Sequence, residues 1–311
     1  MVKYRPLGNT GIKVSEIGMG TNTISGVGSH GYVDEADGSA AVQRAYELGV
    51  TFFDTAENYS EGRSEVVLGK VLGDKPDAVI CTKVNPAGGS LTSERIREAA
   101  EASLRRLQRD VIDVYLLQNP PTAMISDPQI KEAFAALQRD GLIRSYGVST
   151  LGTADIEQGE AVLDEGGYTS MEIGMNVAEQ KPADTLLPRA HEFGAGVIVR
   201  VPLGTGLLTG KYERDHAFPD DDDRGYKATQ RADALARVER RFAPVAALRQ
   251  LSLQEGVSII HLALGWLLTH EEVSTVISGA KNAVQVADNV AAGDVELSPS
   301  AMERLAAMRV Q

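Results

Sequence analysis

With 311 residues, 43% of them hydrophobic and 24% charged, the chain has the composition of a globular protein that can bury a large core. A formal net charge of −12 sets most of the surface against a nucleic-acid duplex, which excludes a general nucleic-acid partner but leaves room for a local basic pocket holding one small anion. The single cysteine, Cys81, excludes an intrachain disulfide and fits a reducing compartment. The opening stretch MVKYRPLGNTG has no continuous apolar segment, and no run approaches about 18 apolar residues, so neither a signal peptide nor a membrane span is expected and the cytoplasm is the expected location.

In chain order, one pattern repeats. The stretch YRPLGNTGIKVSEIG carries Gly-Asn-Thr-Gly between two short apolar pieces and predicts a β-hairpin that caps one end of the fold. Eight apolar or β-branched runs follow as predicted strands: 14–21, 50–56, 78–84, 112–118, 143–149, 170–177, 196–203 and 274–280. Segments with helical spacing separate them, clearest at 37–49, 93–108, 128–141 and 183–194. In the second, Ile96, Ala99, Ala100, Ser103, Leu104 and Leu107 form the apolar stripe, and Ser93 is the expected N-cap. Gly141 and Gly194 stand where a left-handed C-cap is easiest without a Cβ. Residues 204–231 are long and polar for a connection, which points to a lid or a disordered excursion. A terminal helix, capped by Ser298 or Ser300, ends the chain.

Strands alternating with helices require parallel pairing through right-handed crossovers, and near-continuous apolar strands are covered on both faces. Eight such units are best met by a single-domain α/β fold spanning residues 1–311, a closed (β/α)8 TIM barrel with an N-terminal hairpin and a C-terminal helix; a doubly wound open sheet is the alternative.

Chemistry on a barrel of this kind sits at the C-terminal ends of the strands. The polar residues there are Asp54 with Tyr59 in the next loop, Lys83, Gln118 and Asn119, Ser149 and Thr150, Glu172 and Asn176, and Arg200. Asp54, Tyr59 and Lys83 form the sharpest set. A free phenol titrates near ~10, too weak an acid for fast proton donation at neutral pH. An adjacent ammonium lowers that value, and a carboxylate holds the ammonium in place. An ordinary salt bridge beside a loop tyrosine is the plain alternative.

The stretch FFDTAENYSEGRSEVVLGKVL resembles the strand-two signature of the aldo-keto reductases, DTAxxYGxSExxLGxxL. YRPLGNTGIKVSEIGMGT, AVICTKV, IDVYLLQNPP, IRSYGVST, VPLGTGLLTGKY and ISGAKNAVQVADN also resemble that family, in order, over residues 4 to about 292. The resemblance implies an NADPH-dependent oxidoreductase that reduces aldehydes or ketones without a Rossmann fold. It makes Tyr59 the proton donor, Lys83 the group that depresses its pKa, and Asp54 the residue that orients Lys83. It further implies cofactor contacts from Gly20, Thr21, Asn22, Asp54, Ser149, Thr150, Glu172, Arg200, Pro202, Leu203, Gly204, Gly206, Leu207, Lys211, Ser278, Gly279, Lys281, Gln285, Asp288 and Asn289. Lys281 would meet the 2′-phosphate, Gln285 and Asn289 the adenine, and the glycines of PLGTGLLTGK the pyrophosphate. Tyr59, Gln118, Asn119 and Asn22 would face the substrate, a small carbonyl compound, with Tyr32 also in reach.

This chain departs from the family at several points. The family's catalytic histidine at the end of strand four is Gln118, whose amide can donate a hydrogen bond but cannot relay a proton as imidazole does. The Ser-Asn pair for the carboxamide reads Ser149-Thr150, the glutamine on strand six is Glu172, and an aromatic on strand seven is Arg200, whose planar guanidinium can also stack. These departures keep open the reduction of an enone, the oxidation of an alcohol or sugar, and a cofactor-sensing regulatory role like that of potassium-channel β-subunits. Substrate choice would rest on the loops after Gly20, at 120–127 and at 204–230. No metal site is expected: His30, His191, His216, His261 and His270 lack ligand spacing, and the acidic run 220–223 reads as a solvated loop without the alternation of a calcium loop. Cys81 reads as a small core hydrophobe. Oligomeric state is not legible.

Overall fold

The computed structural model describes residues 2–28, 31–86, 91–150, 156–213, 216–219, 222, 224 and 232–309. His30, Asp220, Asp221, Asp223 and residues 225–231 of the long polar segment lie outside the described residues.

Twelve short strands occur among the described residues. They are β1 (Tyr4–Pro6), β2 (Lys13–Ser15), β3 (Ile17–Gly20), β4 (Gly26–Gly28), β5 (Gly31–Val33), β6 (Phe52–Asp54), β7 (Val79–Val84), β8 (Ile112–Gln118), β9 (Ile143–Ser149), β10 (Ser170–Gly174), β11 (Gly196–Arg200) and β12 (Val273–Gly279). Eight of them close into a parallel barrel in the order β10-β11-β12-β3-β6-β7-β8-β9. All eight expected runs are barrel strands, so the (β/α)8 reading holds and the doubly wound sheet does not. The run 14–21 divides into two strands: Ser15 ends the hairpin strand β2, and only β3 enters the barrel.

The barrel interior follows from the alternation of side chains along a strand. Phe52, Val79, Cys81, Val114, Leu116, Ile198 and Ile277 form an inner apolar cluster, with Cys81 fully buried in it. Leu7, Ile12 and Val14 join that cluster from below, because the β1–β2 hairpin plugs the N-terminal end of the barrel. A second, larger core lies between the strands and the surrounding helices, where both faces of each strand need cover.

Helix boundaries match the apolar periodicity to within a few residues, for example Ser93–Leu107 and Pro128–Arg139. The N-cap of the former is Thr92, not Ser93: Thr92 holds extended backbone (ψ 160°) and its side chain accepts from the Arg95 N–H, while Ser93 is already helical and so cannot cap. Gly194 (φ 69°) caps Lys181–Phe193 in the left-handed region as expected, Gly141 (φ 75°) follows Pro128–Arg139, and Ser298 caps the terminal helix Pro299–Ala306. A second antiparallel hairpin, β4–β5, stands just after β3, a feature its glycine-rich sequence did not announce. No single helix among the described residues is long and apolar enough to cross a membrane.

Candidate active site

The site is the last inward-facing layer of the barrel. Phe52, Cys81, Leu116 and Ile198 point inward, and two residues further along the same strands stand Asp54, Lys83, Gln118 and Arg200. The interior thus switches from apolar to polar at the final inward step of each strand. Asp54 pairs in register with Cys81, so Lys83 lies one inward step above and reaches back to it. Its ammonium is fully buried, bonded to the Asp54 carboxylate and donating to the Thr55 carbonyl at 3.0 Å.

A third group joins that pair from the far wall. Glu172 on β10 is buried, and its Oε2 lies 3.1 Å from Lys83 Nζ. Ser149 Oγ donates to Glu172 Oε1 at 3.2 Å, and Arg200 Nε stands 4.0 Å from the same oxygen. Arg200 also donates to the Thr150 carbonyl at 3.0 Å. Glu172 was expected only as a carboxamide contact; its pairing with Lys83 had no signal in the chain, because barrel closure alone brings β10 across from β7.

Tyr59 opens a tight turn, Tyr59–Gly62, in which Ser60 (φ 48°), Glu61 (φ 58°) and Gly62 (φ 83°) are consecutively left-handed. Ser60 Oγ donates to the Ser25 carbonyl at 2.6 Å and ties this turn to the loop before β4. Asn119 (φ 47°) and Val201 (φ 53°), each one residue past the end of a barrel strand, and Thr205 (φ 57°), in the turn segment Gly204–Thr209 after β11, are also left-handed. Non-glycine residues of this kind cost roughly 1–3 kcal/mol each and gather where a surrounding structure enforces them, as at active sites. Lys83 Nζ lies 5.3 Å from the Tyr59 ring centroid. Among the described residues, no hydrogen bond joins the phenol to Lys83.

The electrostatics correct one expectation. Burial pushes the Tyr59 phenol up, Lys83 pulls it down, and Asp54 and Glu172 push it up again, so its pKa ends above the ordinary value of 10.0 rather than below it. One ammonium shared by two carboxylates does not outweigh desolvation. Burial and the neighbouring Glu172 also raise the Asp54 carboxyl, against the pull of Lys83, to about 8. Burial alone would lower Lys83, but Asp54, Glu172 and Tyr59 together hold it well above its usual value. Burial likewise pushes the Cys81 thiol far up, which keeps it inert. Asp54, Cys81 and Glu172 stand close enough together to resemble a metal site, but the Lys83 ammonium already pairs with both carboxylates and holds the place a cation would take.

A cavity of about 390 Å³ opens above this layer and runs from Asp54 and Tyr59 to the helix Ala283–Ala291. Gly20, Thr21 and Asn22 line it from β3 and its loop, and Glu172 from β10. Arg200, Pro202, Leu203, Gly206 and Lys211 line it from β11 onward, and Ser278, Gly279, Lys281, Gln285, Asp288 and Asn289 from β12 and the following helix. Lys83, Gln118, Asn119, Ser149, Thr150, Gly204 and Leu207 are not on its wall. Gln118 instead accepts from Asn85 Nδ2 at 3.3 Å, and Tyr32 is 68% exposed on the β4–β5 hairpin. Gln285 and Asn289 are engaged by their own backbone: Gln285 accepts from the Lys281 N–H at 2.9 Å, and Asn289 donates to the Gly279 carbonyl at 3.3 Å.

Arg224 and Tyr212 on the cavity wall had no periodic signal, because they lie in a loop. The Arg224 guanidinium stacks 4.6 Å from the Phe218 ring centroid and 5.1 Å from that of Tyr212, and Nη1 donates to the Thr205 carbonyl at 2.9 Å. Its Nη2 pairs with Asp222 at 2.7 Å, which leaves Asp222 only 3% exposed and corrects its reading as part of a solvated acidic face. Burial and the nearby Arg224 and Lys211 lower the Lys281 ammonium, so three cations crowd this end of the cavity, an arrangement that a bound anion relieves. Ser278 Oγ and Arg200 Nε are buried without hydrogen-bond partners, yet both residues line the cavity. Unpartnered polar atoms on the wall together with crowded cations fit a dinucleotide with its phosphates among the lysines.

The comparisons agree with this geometry. The family model for the aldo/keto reductase family matches residues 16–309. A protein of Schizosaccharomyces pombe named as a voltage-gated potassium channel beta subunit is 30% identical, over 98% of this chain and 92% of its own. The L-galactose dehydrogenase of Arabidopsis thaliana is 31% identical, over 94% and 88%. Among solved structures, the glycerol dehydrogenase of Gluconobacter oxydans superposes with a TM-score of 0.80 at 26% identity, covering 98% of this chain and 94% of that one. With a closed eight-stranded barrel, a buried Asp54–Lys83 pair beside Tyr59 and a family match over nearly its whole length, this chain belongs to the aldo/keto reductase family.

Proposed function

We propose that the protein is an NADPH-dependent oxidoreductase that reduces an aldehyde or ketone to the alcohol, with Tyr59 as the proton donor. The observation that carries this reading is the convergence of Asp54, Lys83 and Tyr59 at the floor of a cavity whose other end holds Lys211, Arg224 and Lys281. When bound, the nicotinamide supplies the hydride to the carbonyl carbon. Tyr59 then gives its proton to the carbonyl oxygen, and Lys83 stabilises the phenolate that remains. Because the phenol is pushed up, its acid form is full at neutral pH and the donor is always loaded. Gln118 takes Asn85 Nδ2 on its carbonyl oxygen and stands behind the cavity wall, so its NH2 acts as a neutral donor only for a substrate that reaches past that wall. Lys281 supports the preference for a 2′-phosphate.

A second reading, oxidation of a polyol or sugar, is favoured by the likeness to dehydrogenases of glycerol and L-galactose. Purified protein mixed with NADPH or NADH and a panel of aldehydes, ketones and enones, followed at 340 nm, tests both readings when the reverse assay with NADP+ and polyols is added. Oxidation without reduction would favour the second reading. Tight cofactor binding without turnover in either direction would overturn both and leave the cofactor-sensing role.

A further inference from the structure

Glu172 is a carboxylate on the cavity wall, beside the buried Asp54–Lys83 pair, that the proposed proton transfer does not use. It is 2% exposed, and its Oε2 is paired at 3.1 Å with the Lys83 ammonium. Tyr59 and Glu172 line the same end of the cavity. On the proposed reading the nicotinamide must lie there, because the hydride and the proton are delivered to the two ends of one C–O bond. The two forms of that ring differ by one charge: the oxidised ring is a cation and the reduced ring is neutral. A buried carboxylate distinguishes them by Coulomb's law alone.

We propose that Glu172 selects the redox form of the cofactor, so that the site holds the oxidised nicotinamide more tightly, relative to the reduced one, than it would with a neutral amide at this position. This rests on the reading of the protein as a nicotinamide oxidoreductase. Glu172 acts here as a specificity determinant and makes no bond to the reacting atoms. The contrast is cleanest before substrate binds, since the phenol is then protonated with either form and the ring carries the only charge that differs.

The groups that face Glu172 are Lys83 and Cys81 from β7, Asp54 from β6, Tyr59 from the loop after β6 and Arg200 from β11. Burial and Glu172 together raise Asp54 to about 8, so Asp54 holds a proton below that pH and adds a second negative charge beside Glu172 above it. Tyr59, Cys81 and Lys83 are all pushed upward, away from this range. Selection for the oxidised ring therefore strengthens as pH rises through about 8. The cofactor phosphates are the same in both forms, so their titration cancels in a ratio of dissociation constants.

The experiment is titration calorimetry of the full chain with NADP+ and with NADPH, at pH 6.5 and 9, for the wild type, Glu172→Gln and Glu172→Asp. The wild-type ratio Kd(NADPH)/Kd(NADP+) is expected to be several-fold higher at pH 9. In Glu172→Gln it falls by about tenfold or more at pH 9 and loses its pH dependence, the scale of one unit charge within a few ångströms at an effective dielectric constant of about 20 or above. Glu172→Asp restores most of the ratio, which a merely structural role would not do. A ratio in Glu172→Gln within about twofold of wild type overturns the proposal. If that variant does not fold, a flat wild-type ratio between the two pH values overturns it alone. Binding of both forms with an unselective ratio sinks this inference only, whereas no binding of either form takes down the functional reading as well.

Discussion

Lys83→Met replaces the ammonium with an apolar chain of similar length and tests the central cluster through stability rather than turnover. In the wild type Lys83 is bonded to Asp54, lies 3.1 Å from Glu172 and donates to the Thr55 carbonyl at 3.0 Å. Its removal leaves the buried Asp54 carboxylate without a cation and Glu172 with only Arg200 at 4.0 Å, at a cost of about 3–5 kcal/mol. The orphaned carbonyl adds roughly 1 kcal/mol. At about 2 °C per kcal/mol for a chain of this size, Tm at pH 8 should fall by roughly 8–12 °C. The sign of the pH dependence is fixed. Without the ammonium, which pulls it down, the Asp54 carboxyl is raised further above its unfolded value near ~4. Stability from such raised groups is present below that pH and lost as pH rises through the folded values, so the deficit should be smaller at pH 5 than at pH 8. Thermal unfolding followed by circular dichroism at the two pH values measures both effects. A Tm within about 2 °C of wild type at pH 8, or a deficit larger at pH 5, would refute the buried three-group cluster.

Tyr59→Phe should lose at least ~100-fold in turnover while NADPH affinity is kept, since only proton transfer is removed; unchanged turnover would mean that another group is the acid. Lys281→Ala should weaken NADPH by about tenfold and NADH by less than about twofold in fluorescence titrations, because the 2′-phosphate is the difference between them; equal weakening would move the phosphate contact elsewhere, with Arg224 the next candidate. Thr92→Ala should cost about 1 kcal/mol, or roughly 2 °C in Tm, with turnover unchanged, whereas Ser93→Ala should be nearly neutral.

What was legible in the chain and what was not divides along a physical line. The barrel was legible because each strand carries its own evidence: a run such as IDVYLLQ is apolar on both faces, and that requires cover on both sides. Asp54, Lys83, Gln118 and Arg200 were legible for the same reason, as polar residues ending otherwise apolar runs. Thr92 and Ser93 could not be told apart, since both can cap and only the dihedral angles decide where the helix begins. The acidic run 220–223 read as solvated because nothing in it shows that Arg224 folds back onto Asp222 and stacks on Phe218. Composition and periodicity report what a residue prefers; they do not report which residue lies across a closed barrel.

The sign of the Tyr59 shift is where that limit matters most for chemistry. Reasoning from neighbours alone counts one ammonium against one carboxylate and predicts a lowered phenol. The folded site adds two contributions that no local window contains: desolvation, which is the largest, and Glu172, which approaches across the barrel. Both act in the same direction, and together they exceed the pull of Lys83. The role of Lys83 then changes from making the phenol acidic at rest to limiting the cost of the phenolate once the proton has left. That cost falls at the step in which the substrate oxygen takes the proton, so the ammonium is worth most in the transition state, as electrostatic catalysis requires. On this account Glu172→Gln lowers the phenol pKa, because one of the groups pushing it up has been removed, and the fall of the reduction rate at high pH should move to lower pH in that variant. A pH–rate profile whose basic limb stays in place would show that Glu172 and Tyr59 do not sense each other.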